Sequence, residues 1–232
     1  MEIIAGVHTI EKLGIGRAYL YVEADRLTLI DTGLAGSTAK LVAAIESVGH
    51  KPEALAQVFV THHHRDHTGS LAEVVERTNA QVLAHPIDAR IVRGEVAAPG
   101  SSASGLFRPL RPLLSRSNTP PAPVRVDREV GDGDEVDLGG GARVLHVPGH
   151  TAGSIALYVP GRKLLFSGDA ATNTMGLGPP TGLFGLFNED TEQSRASFRK
   201  LAELDFEVAC FGHGRPLDKE ASLAFRRAVD KL

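Results

Sequence analysis

A cluster of side chains that can bind metal lies at residues 61–67, where the sequence reads Thr-His-His-His-Arg-Asp-His. Residues two apart on extended backbone point to the same side, so His62 and His64 can share one metal ion. Asp66 and His67 begin the turn into a following helix and can face a second ion. Imidazole and carboxylate ligands without thiolate suit Zn²⁺, Fe or Mn²⁺. The alternative is a polar loop of solvated histidines, but the density of ionisable side chains favours a metal site.

Three later turns each carry one further group of this kind directly after a predicted strand. His150 lies in the turn Pro-Gly-His-Thr-Ala-Gly-Ser, Asp169 follows Ser-Gly, and His213 lies in Phe-Gly-His-Gly. Loops at strand ends commonly carry functional residues. Each of these residues alone would be explained as an ordinary turn residue. The recurrence of the pattern at four strand ends predicts one shared metal site.

The overall composition restricts the class of protein further. The chain has 232 residues, ten histidines and one cysteine, with a formal net charge of −3. One cysteine excludes a disulfide framework and a cysteine-based zinc finger. The absence of a basic excess argues against binding to a nucleic-acid backbone. We find no signal-peptide pattern and no apolar run of the roughly 20 residues that span a bilayer, so we expect a cytoplasmic protein without membrane contact.

The candidate ligands need strands that end close together and helices that cover those strands. Apolar and β-branched runs predict strands at 17–23, 27–30, 57–61, 81–84, 124–126, 142–147, 154–159, 163–166 and 208–211. Helical spacing predicts helices at 37–48 with Ser37 as N-cap, from Gly69, after Pro86, at 191–204 and after Pro216. This alternation indicates an α/β protein whose sheets are covered on the outside by helices.

Two apolar segments interrupt the alternation. Residues 94–123 are rich in Gly, Ser, Pro and Arg and carry leucines and a phenylalanine at helical spacing, which indicates an insertion or cap. Residues 175–187 hold leucines and phenylalanines among glycines, close behind Asp169. Such segments beside a cleft indicate either a lid over the substrate or a contact in a homodimer, and both interpretations stay open.

The order and spacing of the histidines and aspartates resemble the metallo-β-lactamase-fold hydrolase superfamily, in its glyoxalase II-like and lactonase-like branch. The matching positions are His62, His64, Asp66, His67, His150, Asp169 and His213. The resemblance runs from about Ile30 to His213. It implies a four-layer αββα sandwich, with two mixed β-sheets flanked by helices, formed by residues 1–232 as a single domain.

The resemblance also implies a dinuclear centre. The implied ligands of one metal ion are His62, His64 and His150. Those of the other are Asp66, His67 and His213, with Asp169 as the bridge. The expected ions are divalent, zinc foremost, with iron or manganese as alternatives. A hydroxide held between two such ions would attack a small ester, thioester or lactone, and Asp66 is the expected catalytic residue that passes a proton to the leaving group.

Other activities of the same superfamily remain as alternatives. A persulfide dioxygenase-like enzyme uses one iron, whereas the full set of seven ligands favours two metal ions. Nucleases and phosphodiesterases of this fold carry a basic arm, which a net acidic chain matches less well. Hydroxyacylglutathione hydrolases have a helical substrate-binding region after the last ligand, and only 19 residues follow His213. β-Lactamases generally lack an acidic bridging residue, so Asp169 favours a different small-molecule substrate. The two apolar segments indicate that this substrate has an apolar part.

The remaining histidines and the cysteine are expected to have structural roles. His63 should point away from its two neighbours and is not expected to bind metal. Asp31, in the turn after a predicted strand, is expected to support a histidine ligand. Cys210 is expected to be a small core residue. His85 and His146 are expected to be hydrogen-bonded structural or surface residues.

Overall fold

The structure of the protein is a computed structural model, and it describes residues 1–24, 26–99, 121–139, 141–173 and 188–230. The strands within these ranges are β1 (Glu2–Ile4), β2 (Val7–Ile10), β3 (Ala18–Val22), β4 (Leu27–Ile30), β5 (Leu55–Phe59), β6 (Gln81–Ala84), β7 (Arg128–Glu129), β8 (Glu135–Val136), β9 (Ala142–His146), β10 (Ile155–Val159), β11 (Leu164–Phe166) and β12 (Val208–Cys210). The α-helices are α1 (Thr38–Ser47), α2 (Arg65–Thr68), α3 (Leu71–Thr78), α4 (Pro86–Val92), α5 (Thr191–Ala202) and α6 (Ala221–Val229).

The strands form two mixed sheets, as the sequence predicts. The first sheet has the order β1-β2-β3-β4-β5-β6-β7, and the second has the order β12-β11-β10-β9-β8. Strands β4, β5, β6 and β7 are parallel neighbours, and so are β11 and β12, whereas the other pairs are antiparallel. Parallel neighbours end at the same edge of a sheet. This topology collects the loops after β4, β5 and β6 at one edge, and those after β11 and β12 at another.

Three buried clusters define four layers. The first joins one face of the larger sheet to α1, α3 and α4, the second lies between the two sheets, and the third joins the smaller sheet to α5 and α6. Strand β3 contributes to two of these clusters. Ala18 and Leu20 pack in the first cluster, whereas Tyr19 and Tyr21 pack in the second. Successive side chains of a strand point to opposite faces, and here both faces are buried. The predicted αββα sandwich is confirmed.

Some local predictions differ from the structure. The predicted strand at 124–126 is wrong: the backbone N–H of Val124 donates to the carbonyl of Val92 at the end of α4, and pairing with β6 starts only at Arg128. Ser37 occupies the N-cap position of α1, but its side chain makes no capping hydrogen bond. Strand β5 ends at Phe59, two residues earlier than expected.

The two apolar segments lie largely outside the described residues. Of the predicted insertion at 94–123, the structure describes 94–99 and 121–123, and it describes none of 175–187. Among the residues that are described, no helix has both the length and the apolar character needed to cross a membrane.

Candidate metal centre

The first predicted ligands are positioned by the end of β5 and the short helix that follows. His64 has extended backbone at the N-cap of α2, and Asp66 and His67 lie within that helix. The backbone N–H of His67 donates to the carbonyl of His64 at 2.9 Å, which closes the turn. The second sheet braces this loop, because Ile155 at the start of β10 donates its N–H to the carbonyl of Thr61. The expected placement on a strand-end loop running into a helix is therefore what the structure has.

The structure brings all seven predicted ligands together. They form three overlapping groups in which the candidate ligand atoms lie within 4.8 Å of one another. The groups are His62, His64 and His150; His62, His67 and Asp169; and Asp66, His67 and His213. We call the first the triple-histidine group and the third the aspartate-containing group. Their composition matches the two ligand sets that the family resemblance implies.

Asp169 lies between these two groups. Its Oδ2 is 3.3 Å from Nε2 of His150 and 3.2 Å from Nε2 of His213, and its Oδ1 is 3.5 Å from Nε2 of His67. The carboxylate thus contacts one member of the triple-histidine group and two members of the aspartate-containing group. This is the position that a bridging ligand requires.

The donor atoms fit a metal site because several of them have no other partner. Among the described residues, Nε2 of His62, Nε2 of His67 and Oδ1 of Asp169 are buried without a hydrogen-bond partner. An unpartnered buried polar atom is costly, and native structures rarely leave one without a reason such as a bound ion. Divalent cations at these atoms would satisfy all three.

The outer nitrogens of the histidines are held by specific partners, which selects the tautomer that points the other nitrogen inward. Nδ1 of His67 contacts Oδ2 of Asp31 at 2.7 Å, and Nδ1 of His213 contacts the carbonyl oxygen of Ile15 at 2.9 Å. Nδ1 of His150 lies 3.2 Å from Oδ1 of Asn188. The predicted supporting role of Asp31 agrees with this geometry.

The histidines of the triple-histidine group have lowered pKa values, so they are neutral imidazoles that can bind a metal ion. Burial lowers the pKa of His62 well below its ordinary value, and burial together with the neighbouring His150 lowers the pKa of His64 to about 3. Burial also lowers the pKa of His150 and outweighs the attraction of Asp169. Each of these imidazoles therefore keeps its lone pair free at neutral pH.

The aspartate-containing group behaves in the opposite way. Burial lowers the pKa of His67 and His213, but Asp169 and the other nearby carboxylates outweigh it and raise the two pKa values to about 9 and about 11. Burial raises the pKa of Asp66 and Asp169, but contacts with His213 and His67 bring both below the ordinary value. Without metal, His67 and His213 are therefore protonated at neutral pH, and Asp66 and Asp169 are ionised. A metal ion would replace that positive charge.

A glycine at position 212 permits this packing. A Cβ on Gly212 would lie 2.0 Å from Oδ1 of Asp169 and 2.7 Å from Cε1 of His67. Its backbone also links elements, since the N–H of Gly212 donates to Gly168 and its carbonyl accepts from Arg17. The residue before His213 must therefore lack a side chain.

The other candidates are placed as follows. His63 is buried, and its Nδ1 contacts Oδ2 of Asp88 at 3.0 Å. His85 caps α4 by accepting from the N–H of Ile87, and its ring stacks on that of His146 at 4.3 Å. Cys210 is a buried free cysteine in the core between the sheets, as predicted.

Two polar residues that contact the ligand loops were not predicted from the sequence. Asn188 follows the second apolar segment and contacts His150, and Asp88 lies in α4 and contacts His63 and Thr151. Neither belongs to a pattern of ligands in the chain. The available signal was weak: Asp88 lies three residues after His85, the histidine that directly follows the parallel strand β6.

A His/Asp cluster where two sheets of an αββα sandwich meet defines a class of metal-binding hydrolase folds, and comparison with known proteins identifies the family. The chain belongs to the metallo-beta-lactamase superfamily, whose family model matches residues 12–213. The probable metallo-hydrolase YflN of Bacillus subtilis is 29% identical over 235 residues, which cover 93% of this chain and 86% of that protein. The predicted family is thereby confirmed.

Several further relatives are named hydroxyacylglutathione hydrolase. The one from Ruegeria pomeroyi is 32% identical over 213 residues, which cover 88% of this chain and 65% of that enzyme. The one from Methylobacillus flagellatus is 31% identical and has 54% of its length covered. The chain therefore spans about half to two thirds of the length of the hydroxyacylglutathione hydrolases that it matches.

Solved structures agree in fold. A metallo-beta-lactamase from Cronobacter sakazakii with a HARLDQ motif superposes with a TM-score of 0.74 at 22% identity, covering 100% of this chain and 90% of that one. The subclass B3 enzyme BJP-1 of Bradyrhizobium japonicum gives 0.73 at 23% identity, with 100% and 90% covered. At such identities the likeness concerns the fold alone.

Proposed function

We propose that the protein is a dinuclear metal-dependent hydrolase that cleaves a small ester, thioester or lactone. The observation that carries the proposal is the convergence of seven histidine and aspartate side chains, three of which have a buried donor atom without a hydrogen-bond partner. The seven side chains include a triple-histidine group and an aspartate-containing group, and Asp169 contacts both. A site for one ion would need neither the second group nor a carboxylate between the groups.

The ligand groups define what each residue contributes. Divalent cations bound at such a site acidify water towards a pKa near 7 and polarise the attacked carbonyl, with zinc foremost for this donor set. Asp169 holds the two groups at a common centre. Asp66, whose Oδ2 lies 3.2 Å from Nε2 of His213, is ionised and receives the proton of the nucleophilic water before delivering it to the leaving group.

Two observations support a carbonyl substrate with an apolar part. Hydroxyacylglutathione hydrolases, by their name, hydrolyse a hydroxyacyl derivative of glutathione, and they are among the relatives of this chain. Ile15, whose carbonyl contacts His213, is 68% exposed and provides apolar surface next to the aspartate-containing group. A small molecule with an acyl ester, thioester or lactone bond and an apolar substituent fits both.

The test combines metal analysis with a substrate screen. Protein purified without added metal should contain two divalent metal ions per chain, and we expect them to be zinc. It should hydrolyse at least one ester, thioester or lactone in a panel that also contains phosphodiesters and β-lactams. Asp169→Ala should lose activity and bind less metal, because both ligand groups contact this carboxylate.

Other results would contradict the proposal. One iron per chain, with persulfide oxidation and no hydrolysis, would identify a dioxygenase-like enzyme. Hydrolysis of the phosphodiesters alone would identify a nuclease-like activity. Full hydrolytic activity in Asp169→Ala would exclude the dinuclear mechanism.

A further inference from the structure

Asp88 is a buried carboxylate outside the seven predicted ligands, and it contacts two of the ligand loops. It lies in the first turn of α4 and is 1% exposed. Its Oδ2 accepts from the backbone N–H of His63 at 2.8 Å, and it contacts Nδ1 of the same residue at 3.0 Å. The same oxygen accepts from the hydroxyl of Thr151 at 3.0 Å. One oxygen thus has three donors.

The donors are adjacent to the ligands of one group. His63 lies between His62 and His64, and Thr151 follows His150 directly. The loop with His63 leaves the larger sheet, whereas the loop with Thr151 joins β9 to β10 in the smaller sheet. Asp88 therefore connects loops from different sheets at the position where those loops present the triple-histidine group.

The turn that contains Thr151 is held by its own hydrogen bonds, so a contact that fixes Thr151 also fixes the position of the adjacent His150. The hydroxyl of Ser154 accepts from the backbone N–H of Thr151 at 3.0 Å and contacts its hydroxyl at 2.9 Å. Across the two loops, Nδ1 of His64 and Nε2 of His150 are 2.9 Å apart. That short separation requires the two loops to be held in register.

Gly153 shows that the chain makes room for this carboxylate. A Cβ at Gly153 would lie 2.2 Å from Oδ1 and 2.8 Å from the backbone nitrogen of Asp88. Position 153 has no left-handed backbone that would favour glycine, so the close approach of Asp88 is the reason that a side chain is excluded.

We propose that Asp88 is a positioning residue that sets the distance between the His62–His64 loop and the His150 loop, and thereby the affinity of the triple-histidine group for its metal ion. The inference rests on the proposed dinuclear site but concerns only one half of it. The aspartate-containing group has its own supports, since His67 contacts Asp31 and His213 contacts the carbonyl of Ile15. Asp88 therefore acts on one metal position and leaves the other unchanged.

The experiment measures metal binding, not turnover. Metal-free protein is titrated with zinc against a chromophoric chelator, and with cobalt while the visible absorption spectrum is recorded. Asp88→Ala should bind one equivalent as wild type does and the second about 10–100-fold more weakly, the usual cost of losing a residue that orients a ligand. The cobalt band of the weakened position should be lost at the loading that saturates wild type.

Two further variants test the same proposal if Asp88→Ala folds poorly. Thr151→Val leaves Asp88 in place and removes one donor, so the same metal position should weaken. Asp88→Asn keeps one oxygen for His63 and Thr151 and should restore most of the affinity. The matched control is Asp127→Ala, which removes a carboxylate that accepts the N–H of Val82 on the neighbouring strand. It should lower thermal stability without changing zinc binding.

The outcomes separate the two proposals. If wild type binds two ions and Asp88→Ala binds both equally tightly, the role of Asp88 is refuted and the proposed function stands. If Asp88→Ala weakens zinc binding equally at both positions, or if Asp127→Ala loses as much zinc affinity, Asp88 contributes only to overall stability and its positioning role is refuted. If wild type binds no metal, the proposed function fails and the inference fails with it.

Discussion

Replacing Asp31 with asparagine tests how far one buried carboxylate controls a metal ligand. Oδ1 of Asp31 accepts from the N–H of Thr61 at 2.9 Å. Its Oδ2 contacts the hydroxyl of Thr61 and Nδ1 of His67, both at 2.7 Å. Asp31 has a φ of +60°, a left-handed conformation that asparagine also adopts readily. Asp31→Asn therefore changes charge and hydrogen bonding while leaving the backbone conformation accessible.

The size of the effect follows from these hydrogen bonds. A backbone N–H cannot change roles, so the amide oxygen must face Thr61 and the NH₂ group must face His67. The hydroxyl of Thr61 can rotate and accept. In the metal-free protein the ring of His67 is protonated on both nitrogens, because burial is outweighed by the nearby carboxylates that raise its pKa to about 9, so its hydrogen bond to residue 31 is lost. A hydrogen bond to a charged group contributes about 1.5–3 kcal/mol to the free energy of unfolding. At about 2–4 °C per kcal/mol for a chain of this size, the Tm of the metal-free protein should fall by about 3–12 °C.

The same change should weaken metal binding for a separate reason. In the neutral imidazole that binds a metal ion, an NH₂ group facing Nδ1 of His67 favours the tautomer with its proton on Nε2, the nitrogen that faces Asp66 and Asp169. We expect zinc affinity to fall by about 10–100-fold at this position. Thermal unfolding of chelator-treated protein and zinc competition measure the two effects independently.

The control is Asp132→Asn, which makes the same chemical change at an exposed carboxylate that accepts from the N–H of His146. It should leave zinc affinity at the wild-type value. If Asp31→Asn also binds zinc as wild type does, Asp31 does not set the tautomer of His67. A lower Tm in that variant would then reflect packing or charge alone.

Three further predictions concern other parts of the molecule. Gly212→Ala should reduce bound metal, measured by elemental analysis, because its Cβ would displace Asp169, whereas Gly131→Ala has open space and should bind metal normally. Cys210 should react with a thiol reagent only after denaturation, since burial raises the pKa of its thiol, and rapid labelling of the native protein would contradict this. Phe225→Ala should cost about 3–5 kcal/mol in urea unfolding, because the ring is fully buried against other aromatic rings.

Much of the secondary structure could be predicted because its causes are local. The buried strand β11 is a short apolar run, β5 is apolar apart from Gln57, and α1 and α3 have apolar residues at helical spacing. The wrong strand at 124–126 shows the limit of this reasoning. Val124 and Val126 have the residue types of a strand and do pack in the first core, but the backbone partner of Val124 is a helix end. Residue type indicates burial, and the available partner decides the hydrogen bonds.

The sequence by itself determined the chemistry of the site. Side-chain type and spacing within one loop are local properties, so His62, His64, Asp66 and His67 could be recognised as candidate ligands, and the pattern of a strand followed by a glycine turn added the other three.

Only the tertiary structure decided which of these groups face one another and what holds them there. Distances between loops depend on strand register and on the packing of one sheet against the other, and neither is encoded near the ligands. Asp88 illustrates this, because it is 25 residues from His63 and 63 from Thr151 in the chain, yet one oxygen contacts both. The order of parallel strands brings α4 to the site, and that arrangement makes an ordinary helix aspartate a contact between two ligand loops.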